Sequence, residues 1–246
     1  MILSHGHRFI VFKTRKTGGT SFEIALSKYL GAGDIVTPIA PEDEKLRAAL
    51  GHTGPQNYLV APAAGATGTE ARFYNHIGAT DARALLPVAV FDGYVKAAIL
   101  RNPFDYAVSW YYWERSRLGA TSREDFRNWL RFQHAHRPEL EAAYRQRQRP
   151  NPGMFAGNRA ITHVDGRSAL DIVLRHEQLQ EDAAAFARKV GLPESLGREL
   201  AEIRTKGNYR PAAATAATMF DGFKEGEALI RTAFAEEIAA YGYDLA

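Results

Sequence analysis

A short buried strand that runs into a two-glycine turn and then a helix is the feature that most narrows what this chain can fold into. Arg8-Phe9-Ile10-Val11-Phe12-Lys13 is short, apolar and β-branched, the pattern of a strand buried on both faces. Arg15-Lys16-Thr17-Gly18-Gly19-Thr20-Ser21 follows as a turn, and then Phe22, Leu26 and Leu30 recur at helical spacing up to a stop at Gly31. Strand, glycine turn and helix make the first half of a βαβ unit. Further strands are expected at 73–77, 94–100 and 170–174. Helices are expected at 42–50, at 80–86 with Thr80 as cap, from Asn102 onward, and at 178–190, 194–203 and 224–241. Strands alternating with helices predict an α/β fold: a parallel sheet flanked by helices, with residues 1–246 as one domain. The stretch 31–71, broken by Pro38, Pro41, Pro55 and Pro62, reads mostly as a long loop and a candidate lid.

The chain contains no cysteine, so neither disulfides nor thiolate metal sites can hold the fold. It has no run near the roughly 18 to 20 apolar residues that span a membrane, and its first residues carry no apolar leader. A cytoplasmic protein without a transmembrane segment is the expectation. No internal repeat is visible, and oligomeric state is not legible. The net charge is only +3, yet the segment 101–149 holds ten arginines against six acids and no lysine. A basic patch in a near-neutral chain points to an anionic ligand rather than to nucleic acid. The alternative for most of these arginines is a solvated helix surface.

The turn after the first strand is the best chemical signal. A helix N-terminus offers unpaired N–H groups and a partial positive charge. Gly18 and Gly19 let backbone approach an oxyanion, Lys16 adds a full charge, and Thr17, Thr20 and Ser21 add hydroxyls. Lys16 precedes the glycines, whereas the lysine of a nucleoside-triphosphate loop follows them. An ordinary tight connection is the competing reading. A second signal is Arg101-Asn102-Pro103, where an arginine ends a buried strand and Asn102 caps the next helix with Pro103 at its first position. Ser109 falls on the same helical face as Asn102 and Asp105, so Arg101 and Ser109 suit a second phosphate.

Lys16-Thr17-Gly18-Gly19-Thr20-Ser21 resembles the 5′-phosphosulfate loop of sulfotransferases that use 3′-phosphoadenosine-5′-phosphosulfate (PAPS). The segment from Arg101 to Tyr112 resembles their 3′-phosphate motif, in the version of Golgi carbohydrate sulfotransferases and bacterial relatives. Weaker likeness extends to Phe91-Asp92-Gly93-Tyr94, to the segment from Asp171 to Leu179 and to Tyr241-Gly242-Tyr243. The resemblance implies a P-loop-like sulfotransferase fold and transfer of a sulfuryl group from PAPS to an acceptor hydroxyl, on a carbohydrate or other small compound, with release of PAP. It implies that Lys16 through Ser21 hold the 5′-phosphosulfate, that Arg101 and Ser109 hold the 3′-phosphate, and that no metal is required. Lys206, Tyr209 and Arg210 look like the late loop that closes over the nucleotide, with a surface turn as the alternative. Arg15 stands where many relatives have proline.

An attacking hydroxyl must lose its proton, and a histidine near neutral pKa suits that work. His76, expected at the end of the strand 73–77, is that candidate, and the resemblance implies the same role; a packed structural histidine is the alternative. His134/His136 and His5/His7 have ligand-like spacing but no evident third partner. Arg115, Arg145 and Arg147 are candidates for steering an acceptor, with surface charge as the default. A kinase with an atypical phosphate loop and a non-catalytic nucleotide-binding module are the alternative functions.

Overall fold

The computed structural model describes residues 1–60, 71–115, 122–146, 148, 151–203, 205 and 210–245. The chain divides into two compact units, one of residues 1–100 with 158–205, the other of 101–157 with 206–246.

The first unit is α/β. Its strands are β1 (Ile2–Ser4), β2 (Phe9–Phe12), β3 (Ile35–Val36), β4 (Leu59–Val60), β5 (Ala71–Arg72), β6 (Val95–Leu100), β7 (His163–Val164), β8 (Arg167–Ser168) and β9 (Ile172–Arg175). Five of them form one sheet in the order β3-β1-β2-β6-β9, while β4 with β5 and β7 with β8 make separate two-stranded pairs. The sheet is mixed, not wholly parallel as expected. β2, β6 and β9 run parallel, but β1 pairs antiparallel with both β2 and β3. The cause is local: only four residues separate β1 from β2, a link that permits a hairpin but no crossover.

Period-two alternation divides the strands between two cores. Phe9, Val11, Ala97 and Ile99 join Phe22, Leu174 and Phe186 on one face, while Ile10, Phe12 and Ala98 join Phe73, Ile77 and Phe91 on the other. Helices cover both faces, as the continuous apolar strands require. The helix expected at 42–50 is Pro41–Ala49, and that at 178–190 is Leu179–Lys189. The helix near 80 spans Ala79–Leu85 with Gly78, not Thr80, at its N-cap. The largest correction concerns 73–77, which is no strand. Extended pairing ends with the Phe73 N–H bond to the Tyr58 carbonyl, Ile77 N–H bonds back to the Tyr74 carbonyl, and His76 takes a left-handed backbone (φ 63). Apolar Phe73 and Ile77 mimic a strand in sequence, yet here they anchor the two ends of a turn in the core.

The second unit is helical, from Pro103–Arg115 and Arg123–Ala135 to Lys224–Ala233 and Ala235–Tyr241. The helix expected over 224–241 breaks at Phe234, whose side chain turns into the core. That core is aromatic: Phe104, Tyr106, Trp110, Tyr111, Phe126 and Phe220 meet mostly edge to face. Trp110 and Trp129 would bury unsatisfied indole N–H groups, and both donate to the Glu114 carboxylate. Ser122 opens the helix Arg123–Ala135 with a reciprocal cap on Asp125.

Behind the turn that follows β2 lies a buried ion pair. Lys13 Nζ sits 2.8 Å from Glu23 Oε2, and the Met1 amino group donates to Glu23 Oε1 at 2.7 Å, all almost fully buried. Burial pushes the Glu23 carboxyl up, but Lys13 and the amino group outweigh it and hold it down at about 2. Its folded value lies below its ordinary 4.5, so its stabilisation is complete above pH 4.5 and is lost as pH falls through 2. Glu23→Gln leaves the buried Lys13 ammonium without its counter-charge and is expected to cost about 3 kcal/mol or more. Urea denaturation from pH 7 down to pH 3 measures it. A variant as stable as the parent at pH 7 would remove the pair from the forces holding this unit.

Candidate functional site

In the first unit the chain leaves β2 at Phe12 and reaches the helix Gly19–Leu26 through six residues. Lys16 adopts φ 59 and Gly18 φ 83. A left-handed non-glycine residue costs on the order of 1 kcal/mol, so the path of this loop is imposed by its surroundings. Three side chains from distant segments impose it, each on a loop carbonyl. His76 Nδ1 lies 2.9 Å from the Lys13 carbonyl, Asn158 Nδ2 donates to the Arg15 carbonyl at 3.2 Å, and His176 Nδ1 lies 3.0 Å from the Thr17 carbonyl. Asn158 also accepts from the Arg15 N–H at 2.8 Å, so one buried amide grips Arg15 at both ends.

The hydroxyls divide between loop and opening. Thr14 donates to the Ile99 carbonyl, so its single proton is used there. The Thr17 hydroxyl, 2.8 Å from that of Thr14, then supplies the proton of their shared bond and holds the loop from within. Ser21 and Thr205 share a hydroxyl bond at 2.9 Å. Gly18, at the N-cap of its helix, makes no side-chain cap, and the first N–H groups of that helix are of the kind that bind anions. Gly18 is exposed and Lys16 half-buried, whereas Lys13 is committed to Glu23. Gly19 packs closely, and a Cβ there would lie 3.2 Å from the Lys13 side chain.

His76 reaches this loop from a turn instead of from the expected strand end. A carbonyl only accepts, so Nδ1 carries the proton and the lone pair belongs to Nε2. Burial, then the charges of Arg15 and Lys13, hold the imidazolium pKa well below the ordinary 6.5. The ring is therefore neutral at neutral pH, with its proton acceptor preset.

The second unit carries the other expected group. Arg101 pairs with Asp105 through Nε at 2.6 Å and Nη2 at 2.5 Å, and Arg210 Nη1 donates to the other oxygen of Asp105 at 2.6 Å. One carboxylate thus joins two guanidiniums, and although burial raises its pKa, Arg101 and Arg210 bring it below the usual range. Ser109 follows Asp105 by one helical turn on the same face, half-buried. Asn102 caps the helix as expected, accepting from the Phe104 N–H. Lys206 and Tyr209 lie outside the described residues, as does Arg147. Much of the arginine surplus is internally balanced. Arg123 donates to the Asp221 carboxylate, Arg127 lies 3.9 Å from Glu124, Arg131 pairs with Glu225 and Arg137 with Glu141. Arg127 and Arg131 also lie over the Phe223 ring.

The ligand-spaced histidines are engaged singly: His5 with the Tyr94 hydroxyl, His7 with the Val190 carbonyl and His136 with that of Phe132. Among the described residues no three acids or histidines gather as a metal site. Asn158 escaped the sequence reading, and His176, inside the segment from Asp171 to Leu179, received no role in it. His176 directly follows a parallel strand, which is a usable signal; Asn158 has no local signature at all. Comparison of the chain with protein-family models, curated proteins and solved structures finds no match in any of the three.

Gly18 tests the loop path directly. Its φ of 83 disfavours any side chain, and a Cβ would lie 3.3 Å from the His176 ring. Gly18→Ala is expected to lower stability by about 1 kcal/mol and to weaken inorganic pyrophosphate in calorimetric titration. Unchanged stability and unchanged affinity together would mean that the left-handed turn is not required.

Proposed function

We propose that this protein is a sulfotransferase with a P-loop-like sulfotransferase fold, moving a sulfuryl group from PAPS to the hydroxyl of a carbohydrate or other small compound. The observation that carries the reading is the junction of one anion-suited loop with one preset base: loop carbonyls tied away by side chains, Lys16 within the loop, and neutral His76 hydrogen-bonded to the loop's own backbone. The arginine motif of the second unit supports it.

In this reading the acceptor oxygen attacks sulfur as the bond from sulfur to the 5′-phosphate oxygen of PAPS breaks, and PAP leaves. His76 Nε2 takes the acceptor proton. Lys16 and the N–H groups at the start of the helix Gly19–Leu26 stabilise charge growing on the departing phosphate, so the chemistry is positioning plus electrostatics. Thr20 and Ser21 stand at the same helix start, while Thr17 keeps the loop in shape. Arg101, Ser109 and Arg210 take the 3′-phosphate, with two guanidiniums suited to a dianion.

Titration with PAP and AMP tests the donor. PAP is expected to bind at least about tenfold more tightly than AMP, and Arg101→Gln to erase most of that difference. Equal affinities in the parent protein would remove PAPS as the donor.

His76 has a test that separates chemistry from loop support. Asparagine can place an amide N–H near the position of Nδ1 but has no group at Nε2. His76→Asn is expected to keep PAP affinity while turnover with labelled PAPS falls about 100-fold or more. Because the folded pKa lies below 6.5, the parent rate should climb with pH at a midpoint under 6.5 and stay flat through neutrality. His76→Asn should lose the climb. Full activity in that variant, with the climb intact, would assign the proton to another group.

A further inference from the structure

We propose that His176 is a positioning residue of the anion loop, holding the Thr17 carbonyl outward so that the backbone around Gly18 presents N–H groups to the anion. The inference rests on the reading that this loop binds an anion, and it adds a residue that neither motif contains.

The loop is held at alternate residues. The carbonyls of 13, 15 and 17 each accept from a side chain, and those side chains lie 63, 143 and 159 positions away in the chain. Local sequence cannot supply such partners, so the loop's shape is a property of the folded unit. His176 holds the last carbonyl before Gly18, where an error in peptide orientation would pass directly into the helix start. It is well placed for this. β9 pairs parallel to β6 with Leu100 opposite Arg175, so His176 emerges at the carboxyl edge of the strands, the edge from which the loop leaves β2. Its ring lies against Gly18, with Nδ1 3.3 Å and Cε1 3.6 Å from where a Cβ would stand. The contact works in both directions: the ring crowds a side chain at 18, where φ 83 already disfavours one, and the carbonyl fixes the ring's tautomer as Nδ1–H.

Packing alone does not account for His176. It is half-buried, and the neighbouring residue that fills the core from this strand is Leu174. Its helix-side neighbour Leu179 already closes the apolar side of Gly18, with Cδ2 3.5 Å from the same Cβ position. What His176 adds is one directed N–H at the loop.

Calorimetric titration of PAP and of pyrophosphate into the full chain, with thermal midpoints alongside, decides the matter for His176→Leu and His176→Asn. The Leu variant keeps bulk without a donor; the Asn variant keeps a donor near Nδ1. Leu is expected to weaken both ligands about tenfold, the scale of one lost orienting hydrogen bond, and Asn to stay within about threefold of the parent. If the Leu variant does not fold, His176→Gln, whose donor sits one bond further out, replaces it with the same expectation. Parent protein that binds neither ligand would end the anion-loop reading itself. Normal binding in parent and Leu variant alike would overturn the role of His176 while leaving that reading intact. Equal loss in the Leu and Asn variants would make His176 a direct ligand contact and would also overturn it.

Discussion

Peptide groups that leave a buried strand must still find hydrogen-bond partners, and in this protein that requirement shapes everything around the first loop. The chain leaves β2 beneath two apolar faces and turns through a left-handed Lys16 and Gly18. Its carbonyls have no strand to bond, so His76, Asn158 and His176 bond them instead. A loop tied at three carbonyls has its path set by the fold and not by its own sequence.

The same economy of partners extends below the loop. The Lys13 side chain points into the protein, and Glu23 from the first helix meets it. That pair ties strand to helix across the turn. In the helical unit, Asp105 makes a comparable arrangement, one carboxylate holding two arginines. Both are cases where a buried charge is tolerated because its partners are in place. The difference lies in burial. The partners of Glu23 sit deep in the core, whereas the two guanidiniums on Asp105 stand at a part-buried surface.

Two kinds of information separate at this point. Periodicity made the main strands and most helices of the first unit legible, because a strand buried on both faces has few other sequences available to it. The loop between Lys13 and Ser21, the Asn102 cap and the Arg101–Ser109 face were legible for similar reasons, since each depends on neighbours within about two helical turns. The turn at 73–77 was misread because Phe73 and Ile77 are apolar for a reason periodicity cannot distinguish: both anchor a turn instead of lining a strand. β1 went unread because three residues are too few to show a period. Missing it turned a mixed sheet into a parallel one.

By itself the sequence determined an α/β pattern, a glycine-bearing helix start with a lysine, an arginine at a strand end and a histidine with no assigned neighbour. Tertiary structure decided what those residues are to one another. It brought His76 to the Lys13 carbonyl across 63 residues, with Nδ1 protonated and Nε2 as acceptor. It enlisted Asn158, which no local pattern marks, and His176 at the end of β9, and it set Arg210 beside Arg101 through Asp105. The physical reason is range. Backbone preference and amphipathic period act over a few residues, while the satisfaction of buried carbonyls and charges is a condition on the whole fold, met by whichever side chain the packing carries there.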